Sequence, residues 1–370
     1  FARSGFFDFN LLCLQCVGLW PDVNWPSLWR TVYKGYETSL LVMACIFFVV
    51  TGIGIYMNQD DLITLLTDLD KTIVSYNFFF KIIMFLIKRK QIRILIDDIL
   101  HSGDKIDEER ERVMKIHVIL VSVLITTIFG GFQMLGQVKG ELVISSWMPF
   151  DALRNQWAVF MAGQILDWLY AVPVMYRAIA IQGIVCSIIM YMCDQLVELQ
   201  HRLKSLTYNE ENGHNTRKAL KSIIKKHIRL VGYSRSIKSV FKEYFFIQNV
   251  AITAELCLNA LMMTIMGLQQ KKNLATFMAY LMIALFNAYI FCYLGQELMD
   301  QSAGVALAAY ESDWTSWPVD MQKDLLLLIT VAQKNFTLSA GGIAVMCMET
   351  YALALYNGYS IFAVLRDVVD

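Results

Sequence analysis

Long apolar stretches alternate with short charged ones along this chain, and the apolar stretches set the element count. Seven of them predict helices: YETSLLVMACIFFVVTGIGIYM at about 36–57, a stretch through TIVSYNFFFKIIMFLI at about 70–87, and IHVILVSVLITTIFGGFQMLG at about 116–136. The fourth runs about 164–196 through QILDWLYAVPVMYRAIAIQGIVCSIIMYM, followed by stretches at about 244–267, 274–296 and 340–365. Runs of roughly 20 apolar residues suffice to cross a hydrocarbon core about 30 Å thick. Ten-residue alternation between turn signals, the mark of an outer-membrane barrel, is absent from the sequence. The pattern therefore predicts an all-α membrane protein with seven transmembrane helices.

Basic residues between the spans orient them, because lysine and arginine collect in cytoplasmic connections. Eleven lie between spans four and five, from Arg202 and Lys204 to Lys238 and Lys242, and the connection after span two opens with Lys88, Arg89, Lys90 and Arg93. The connection between spans three and four has only Lys139 and Arg154. This asymmetry predicts a cytoplasmic N-terminus and an extracellular C-terminus. Composition agrees: of 370 residues 56% are hydrophobic and 17% charged, with a mean hydropathy of +0.47. Zero formal net charge gives no preference for nucleic acid. Five of the eight cysteines (Cys45, Cys186, Cys193, Cys257, Cys292) fall inside apolar runs as small hydrophobes, and the single CxxC at Cys13 and Cys16 has no further ligands close in sequence for a zinc site. No metal, cofactor or disulfide framework is expected. The five histidines lack ligand spacing, and no nucleophile motif or phosphate loop marks an enzyme.

The last third of the chain carries a resemblance. GQELMDQS at the end of span six, the Tyr-x-Ser-Asp-Trp core of YESDWTSWP, KDLLLLITVAQK, the SAGG turn, Met-Glu-Thr-Tyr and the closing Tyr-Ser-x-Phe-x-x-Leu-Arg together resemble the insect odorant receptors. LCLQCVGLWP near the start, FLIKRKQI after span two and QLVELQHRL after span four also fit that family. The resemblance implies an odorant-sensing subunit of a heterotetrameric, ligand-gated, non-selective cation channel. It would assemble with the odorant receptor co-receptor (Orco) in the plasma membrane of an olfactory sensory neuron, bind a small volatile odorant and pass cations through a central pore.

On that reading the chain divides into six parts. Residues 1–35 are a cytoplasmic N-terminal segment, and 36–200 hold spans one to four and the ligand-binding bundle. Residues 201–243 are a cytoplasmic helical anchor, and 244–296 hold spans five and six. Residues 297–340 continue the anchor and include the first half of helix seven, and 341–370 hold its pore-lining half and the C-terminus. Within the anchor, KALKSIIKKHIRLVGYSRSIKSVF places Leu220, Ile223, Ile224, Ile228 and Val231 at helical spacing among basic residues, as expected of a helix packing on its neighbours. Tyr310, Trp314 and Trp317 are expected at the subunit interface, where Trp is enriched.

Gly341 and Gly342 of SAGG are expected to break helix seven in two. In the second piece one face carries Tyr351, Leu355, Tyr359 and Phe362, continued by Leu365 or Arg366. Family gates are hydrophobic and sit near the outer end, so Leu355, Tyr359, Phe362 and Leu365 are the expected pore and gate residues, with Phe362 and Leu365 as the constriction. Glu349 lies about 140° from Phe362 on an ideal helix, so either it packs into the bundle or another face lines the pore there. Lys81 and Arg177 are mid-span, with Glu255 and Asp167 as possible partners. An apolar ligand calls for an aromatic-lined site. The family's outer-half pocket implies Ile73, Tyr76, Phe79 and Phe80 from span two, Ile128 and Phe132 from span three, Met175, Ile179 and Gln182 from span four, and Tyr280 from span six. The alternatives are a gustatory receptor channel, whose tail ends differently, and a G-protein-coupled receptor, whose parity is opposite and whose Asp-Arg-Tyr and Asn-Pro-x-x-Tyr signatures this sequence lacks.

Overall fold

The computed structural model describes residues 6–60, 62–104, 106, 108–140, 142, 144–152, 154–208, 213–266 and 271–369. Within these, the side chains of 62, 63, 108, 110, 114, 117, 128, 129, 132, 133, 135, 137, 139, 263–266, 271–277, 279, 280, 362 and 365–369 lie outside the description. The elements are α1 (Asp8–Cys16), α2 (Ser27–Met57), α3 (Leu62–Leu100), α4 (Glu108–Lys139), α5 (Gln156–Tyr170), a π-helical turn (Ala171–Tyr176), α6 (Arg177–Lys204) and α7 (Gly213–Met266). Then come α8 (Lys271–Tyr310), a 3-10 turn (Trp314–Ser316), α9 (Val319–Ala332), β1 (Ser339–Ala340), β2 (Ala344–Val345) and α10 (Met348–Val369).

The seven expected spans fall on α2, α3, α4, the α5–α6 rod, α7, α8 and α10. Among the described residues, four segments are long and apolar enough to cross a membrane on composition alone: Ser27–Met57, Gln156–Lys204, Gly213–Met262 and Leu281–Tyr310. The helix α3 is more polar because Asp68, Asp70, Thr72, Ser75, Asn77 and Lys81 are buried inside the bundle rather than turned to lipid.

Several helices far exceed a bilayer. At 1.5 Å per residue the 54 residues of α7 reach about 81 Å and the 40 of α8 about 60 Å. The excess gathers at one end of the molecule, where the last turns of α3, α6 and α8 meet the first half of α7. Ion pairs link them: Lys204 to Glu311 at 2.7 Å, Arg229 to Asp104 at 2.7 Å, Lys226 to Glu198, and Arg217 to Asp320. Inside this end runs the main apolar core, in which Leu220 and Ile223 of α7, Leu199 and Leu203 of α6, Leu298 and Val305 of α8, and Leu325 and Leu328 of α9 are buried together. The basic amphipathic helix expected here does pack on its neighbours and runs unbroken into span five. Ile228 departs from the expected stripe: it is 63% exposed, because the buried positions around it are Leu220, Ile223, His227 and Leu230.

Residues at the start of the chain dock onto α6. Phe7, Leu14 and Leu19 are buried, and Asn10 Nδ2 donates to Ser187 Oγ at 2.7 Å. The Gly-Leu-Trp-Pro segment closes α1 and clamps α3: Arg93 Nη2 donates to the Pro21 carbonyl at 2.7 Å, and its guanidinium lies 4.6 Å from the Trp20 ring centre. Near the other terminus the SAGG turn forms a minimal hairpin, Ser339 opposite Val345 and Ala340 opposite Ala344. Gly341 and Gly342 turn it at φ 64° and 84°, values that a side chain disfavours. The Gly341 amide donates to the Lys242 carbonyl at 2.9 Å, tying the break between α9 and α10 to α7.

His227 sits in this core, buried and stacked on Phe336 at 6.3 Å between ring centres. Burial pushes its pKa below the ordinary 6.5. The unfolded chain therefore binds this proton first as pH falls. Its contribution to stability is intact above about pH 6.5 and is lost below that, at no more than about 1.4 kcal/mol per pH unit. His227→Phe should flatten the loss of thermal stability between about pH 7.5 and 5.5 relative to the parent. Equal slopes in the two proteins would refute this role.

Candidate functional site

At the opposite end from the ion-paired core a second apolar cluster is enclosed by α2, α3, α5, the π-helical turn and α6. Its formation starts from Pro173. Proline has no amide proton and breaks the helical ladder, and here the break is absorbed as a wide π turn over Ala171–Tyr176. That turn delivers Val174 and Met175 into the cluster beside Ala178 and Ile179, against Phe47 and Phe48 of α2. Rings dominate the packing: Phe47 and Tyr170 lie 5.0 Å apart, Phe48 stacks on Tyr76 at 4.6 Å, and Phe48 meets Phe79 at 4.7 Å. The Tyr176 hydroxyl bridges to Thr126 Oγ1 of α4 at 3.3 Å.

A connecting segment closes the cluster from above. The Trp147 amide donates to the Val50 carbonyl at 3.0 Å and the Ser145 amide to Asp68 Oδ1 at 3.3 Å. Ile144 is buried in the cluster, and Met148 packs against it. This close crossing requires glycine at Gly54, since a Cβ there would lie 2.5 Å from the Ser145 carbonyl oxygen.

The expected ligand residues separate into groups. Met175 and Ile179 are buried cluster members, and Phe79 packs on its edge. Tyr76 stacks on Phe48 and on Phe80, which is 47% exposed, so these two rings form the open side. Ile73 is half-buried on α3 outside the cluster, and Gln182 is buried further along α6. The side chains of Ile128, Phe132 and Tyr280 lie outside the described residues. Sequence reasoning missed Phe47, Phe48, Leu166 and Tyr170. Its usable signal was Pro173, the proline within a span, which marks where α5 and α6 bend around the cluster.

Below the cluster a buried polar chain crosses the bundle. Lys81 Nζ donates to Gln248 Oε1, and the same oxygen lies 3.5 Å from Asn77 Nδ2 and 3.4 Å from Asn287 Nδ2. The ammonium also sits 4.8 Å from the Tyr244 ring centre. Elsewhere on the same helix pair Asn259 Nδ2 donates to Asp70 Oδ1 at 3.1 Å. Lys81 is thus held by an amide and rings rather than by a direct ion pair with Glu255. Arg177 is fully buried with no hydrogen-bond partner among the described residues.

The polar chain reaches α7, and α7 carries α10. A side chain at Gly358 of α10 would sit 3.2 Å from Leu256, and Tyr351 meets Tyr289 of α8 at 5.8 Å. On the open face of α10 are Leu355, Tyr356 and Tyr359, the last 70% exposed. Tyr351 faces α8 instead. Phe362 and Leu365 have side chains outside the described residues. Glu349 lies exposed in the first turn of α10, where its charge complements the helix dipole. In the YESDWTSWP stretch Tyr310 is exposed and Trp314 is half-buried, its Nε1 donating to the Tyr310 carbonyl at 3.1 Å. Trp317 is 3% exposed and packs in the subunit's own core, which corrects its expected place on an outer interface: a ring enclosed within its own chain has no surface left for a neighbour.

A family model described as 7tm Odorant receptor matches residues 61–357. This chain belongs to the odorant receptor family. The match sets aside the gustatory and G-protein-coupled alternatives, and the family consists of receptors rather than enzymes. Odorant receptor 13a of Drosophila melanogaster is 22% identical over 406 aligned positions, covering 96% of this chain and 95% of that protein. Odorant receptor 10 of Aedes albopictus is 24% identical over 70% of this chain and 69% of its own length. Odorant receptor 30a of Drosophila melanogaster is 30% identical, but the match spans only 46% of this chain and 44% of that receptor. Among solved structures, the olfactory receptor OR5 of Machilis hrabei in complex with eugenol superposes with a TM-score of 0.77 over 98% of both chains at 13% identity, which shows the odorant receptor fold.

The Lys81 site gives a clean test of the buried polar chain. Gln248→Leu leaves a buried cation without its acceptor and should cost about 3–5 kcal/mol of stability. The double variant Lys81→Met/Gln248→Leu should regain most of that loss. Thermal denaturation of the purified receptor reads both, and a double variant as unstable as Gln248→Leu alone would contradict the pairing.

Proposed function

We propose that this odorant receptor is the odorant-sensing subunit of a heterotetrameric, ligand-gated, non-selective cation channel. It assembles with the odorant receptor co-receptor in the plasma membrane of olfactory sensory neurons, with its N-terminus in the cytosol. The observation that carries this reading is the second apolar cluster: aromatic, walled off from the main core, open at Tyr76 and Phe80, and linked through α3 and α7 to α10.

A small apolar volatile inserts among Tyr76, Phe79, Phe80, Met175 and Ile179, with Phe48 as the added wall. The remaining expected positions, Ile73, Ile128, Phe132, Gln182 and Tyr280, extend the pocket along α3, α4, α6 and α8. The open face of α10 lines the ion path, with Leu355 and Tyr359 below a constriction at Phe362 and Leu365 that closes by excluding water. Tyr310 and Trp314, with the exposed Leu326, Leu327 and Val331 of α9, supply the contact with neighbouring subunits.

Magnitudes bound the gating. A ligand bound at roughly 1 μM gains about 8 kcal/mol. Moving a gate from 1:99 to 99:1 takes about 5.5 kcal/mol of that as a difference between closed and open states. The closed cluster must therefore hold the odorant poorly, as expected of a site whose rings already fill it.

Odour-evoked currents recorded with and without the co-receptor test the reading. Tyr76→Ala, Phe48→Ala and Met175→Ala should reorder the odorant ranking while leaving the basal current alone. Tyr359→Ala and Phe362→Ala should change basal current or ion selectivity while leaving the ranking alone. An unchanged odorant profile in all three pocket variants would sink the assignment of the site.

A further inference from the structure

A cleft of about 730 Å³ opens among the described residues at the far end from the aromatic cluster, where the ends of α3 and α6 face the first turns of α7. Seven lysines and arginines line it against a single carboxylate, Asp104. Its floor is already neutralised. Both Asp104 oxygens accept from Arg229 Nη2 at 2.7 Å, one of them lies 3.6 Å from Lys226 Nζ, and Lys226 also pairs with Glu198. Arg202 leans on the same Glu198 at 3.9 Å, and Arg217 pairs outward with Asp320, whose pKa that hydrogen bond lowers.

The wall is different. Lys218, Lys221 and Lys225 are exposed on one face of α7, at spacings that bring like charges together, and no described acid lies within ion-pair distance of them. His214, Ser102 and Ser222 also line the cleft, and Arg229 Nε is buried without an acceptor. Among the described residues, counting Asp104, Glu198 and Asp320 against the seven cations leaves a surplus of four positive charges around the cleft. The positive-inside tendency explains lysines near a cytosolic face, but not their convergence on a hollow of the size that holds small molecules.

We propose that this cleft binds a compact soluble organic polyphosphate. Several phosphates at once match several lysine point charges, and the serine hydroxyls and imidazole supply further donors. Depth favours a soluble ligand over a lipid headgroup. Leu100, at the end of α3, lies 12 residues past Lys88, the first cation after the second span, so the cleft beside Ser102 sits about 18 Å beyond it. Such a ligand would fasten α3, α6 and α7 together at the base of the bundle. The proposal goes beyond the odorant-channel reading and needs only the purified chain.

The experiment is a calorimetric titration of the full-length receptor in phosphatidylcholine nanodiscs with inositol hexakisphosphate as the probe. Saturable binding at one site per chain is expected, at least tenfold tighter than inorganic phosphate. The combined variant Lys218→Gln/Lys221→Gln/Lys225→Gln should lose at least tenfold in affinity. Lys90→Gln/Lys323→Gln/Lys334→Gln removes the same charge from exposed lysines outside the cleft and should stay within twofold of the parent. Equal losses in the two variants would make the attraction diffuse and overturn the site. Absence of saturable binding, or affinity no better than inorganic phosphate, overturns it as well. A separate arm adds phosphatidylinositol 4,5-bisphosphate to the bilayer: binding seen only there would assign the cleft to a lipid and overturn the soluble ligand. Odour-evoked current plays no part in these readouts, so failure here leaves the channel reading standing.

Discussion

A hydrocarbon layer about 30 Å thick accommodates only about twenty residues of any helix, and α7 has 54. The remainder has to find its own burial outside the lipid. It does so with the surplus turns of α3, α6 and α8 and with α9, which together make an apolar core edged by ion pairs. Many of the buried apolar residues of the chain lie in this end, from Ile92 and Leu95 of α3 to Leu325 and Leu328 of α9. Water supplies a hydrophobic driving force there that lipid does not, since lipid tails are as apolar as leucine. The membrane half must therefore be held by close packing and polar contacts, and the cytosolic half can be held by burial.

That division explains where polar groups are tolerated. Charged side chains within a bilayer are costly and face the bundle interior. Lys81 meets this constraint with an amide oxygen and an aromatic face in place of a carboxylate. Such a contact fixes the geometry of the ammonium through an amide oxygen and a ring face. It also joins α3, which carries the cluster's open rings, to α7, which carries α10. The outer cluster is tied to α4 by Tyr176 and Thr126, and its packing rests on rings and on one backbone crossing at Gly54.

The sequence was most readable where a residue type admits a single structural use. Pro173 lies where the π turn forms, Gly341 and Gly342 lie at the hairpin between α9 and α10, and DLLLLITVAQK becomes α9 almost from end to end. It was least readable on the apolar faces of spans. Lipid and a protein interior favour the same side chains, so nothing in ACIFFVV says that Phe47 and Phe48 turn inward while Ile46 and Val49 are exposed. Trp317 and Ile228 were misplaced for a related reason: periodicity assigns a face but not which neighbour covers it. The direct contact of Lys81 was also hidden from the sequence, because a rule that pairs charges overlooks amides such as Gln248.

The two cores differ in what a substitution can do to them. The cytosolic core is continuous through α6, α7, α8 and α9, so a change there reaches all four of these helices. The outer cluster draws on α2, α3, α5 and α6, and of these only α3 and α6 continue into the cytosolic core. Ile125 of α4 touches both cores from outside. Residues such as Phe47, Tyr170 and Val174 can therefore vary in size and shape with little effect on the ion-paired core. Contact between the two clusters runs along α3 and α6 and past Ile125 of α4, and α3 meets α7 at Gln248. The two clusters can therefore change separately, a partition that the thickness of the bilayer imposes.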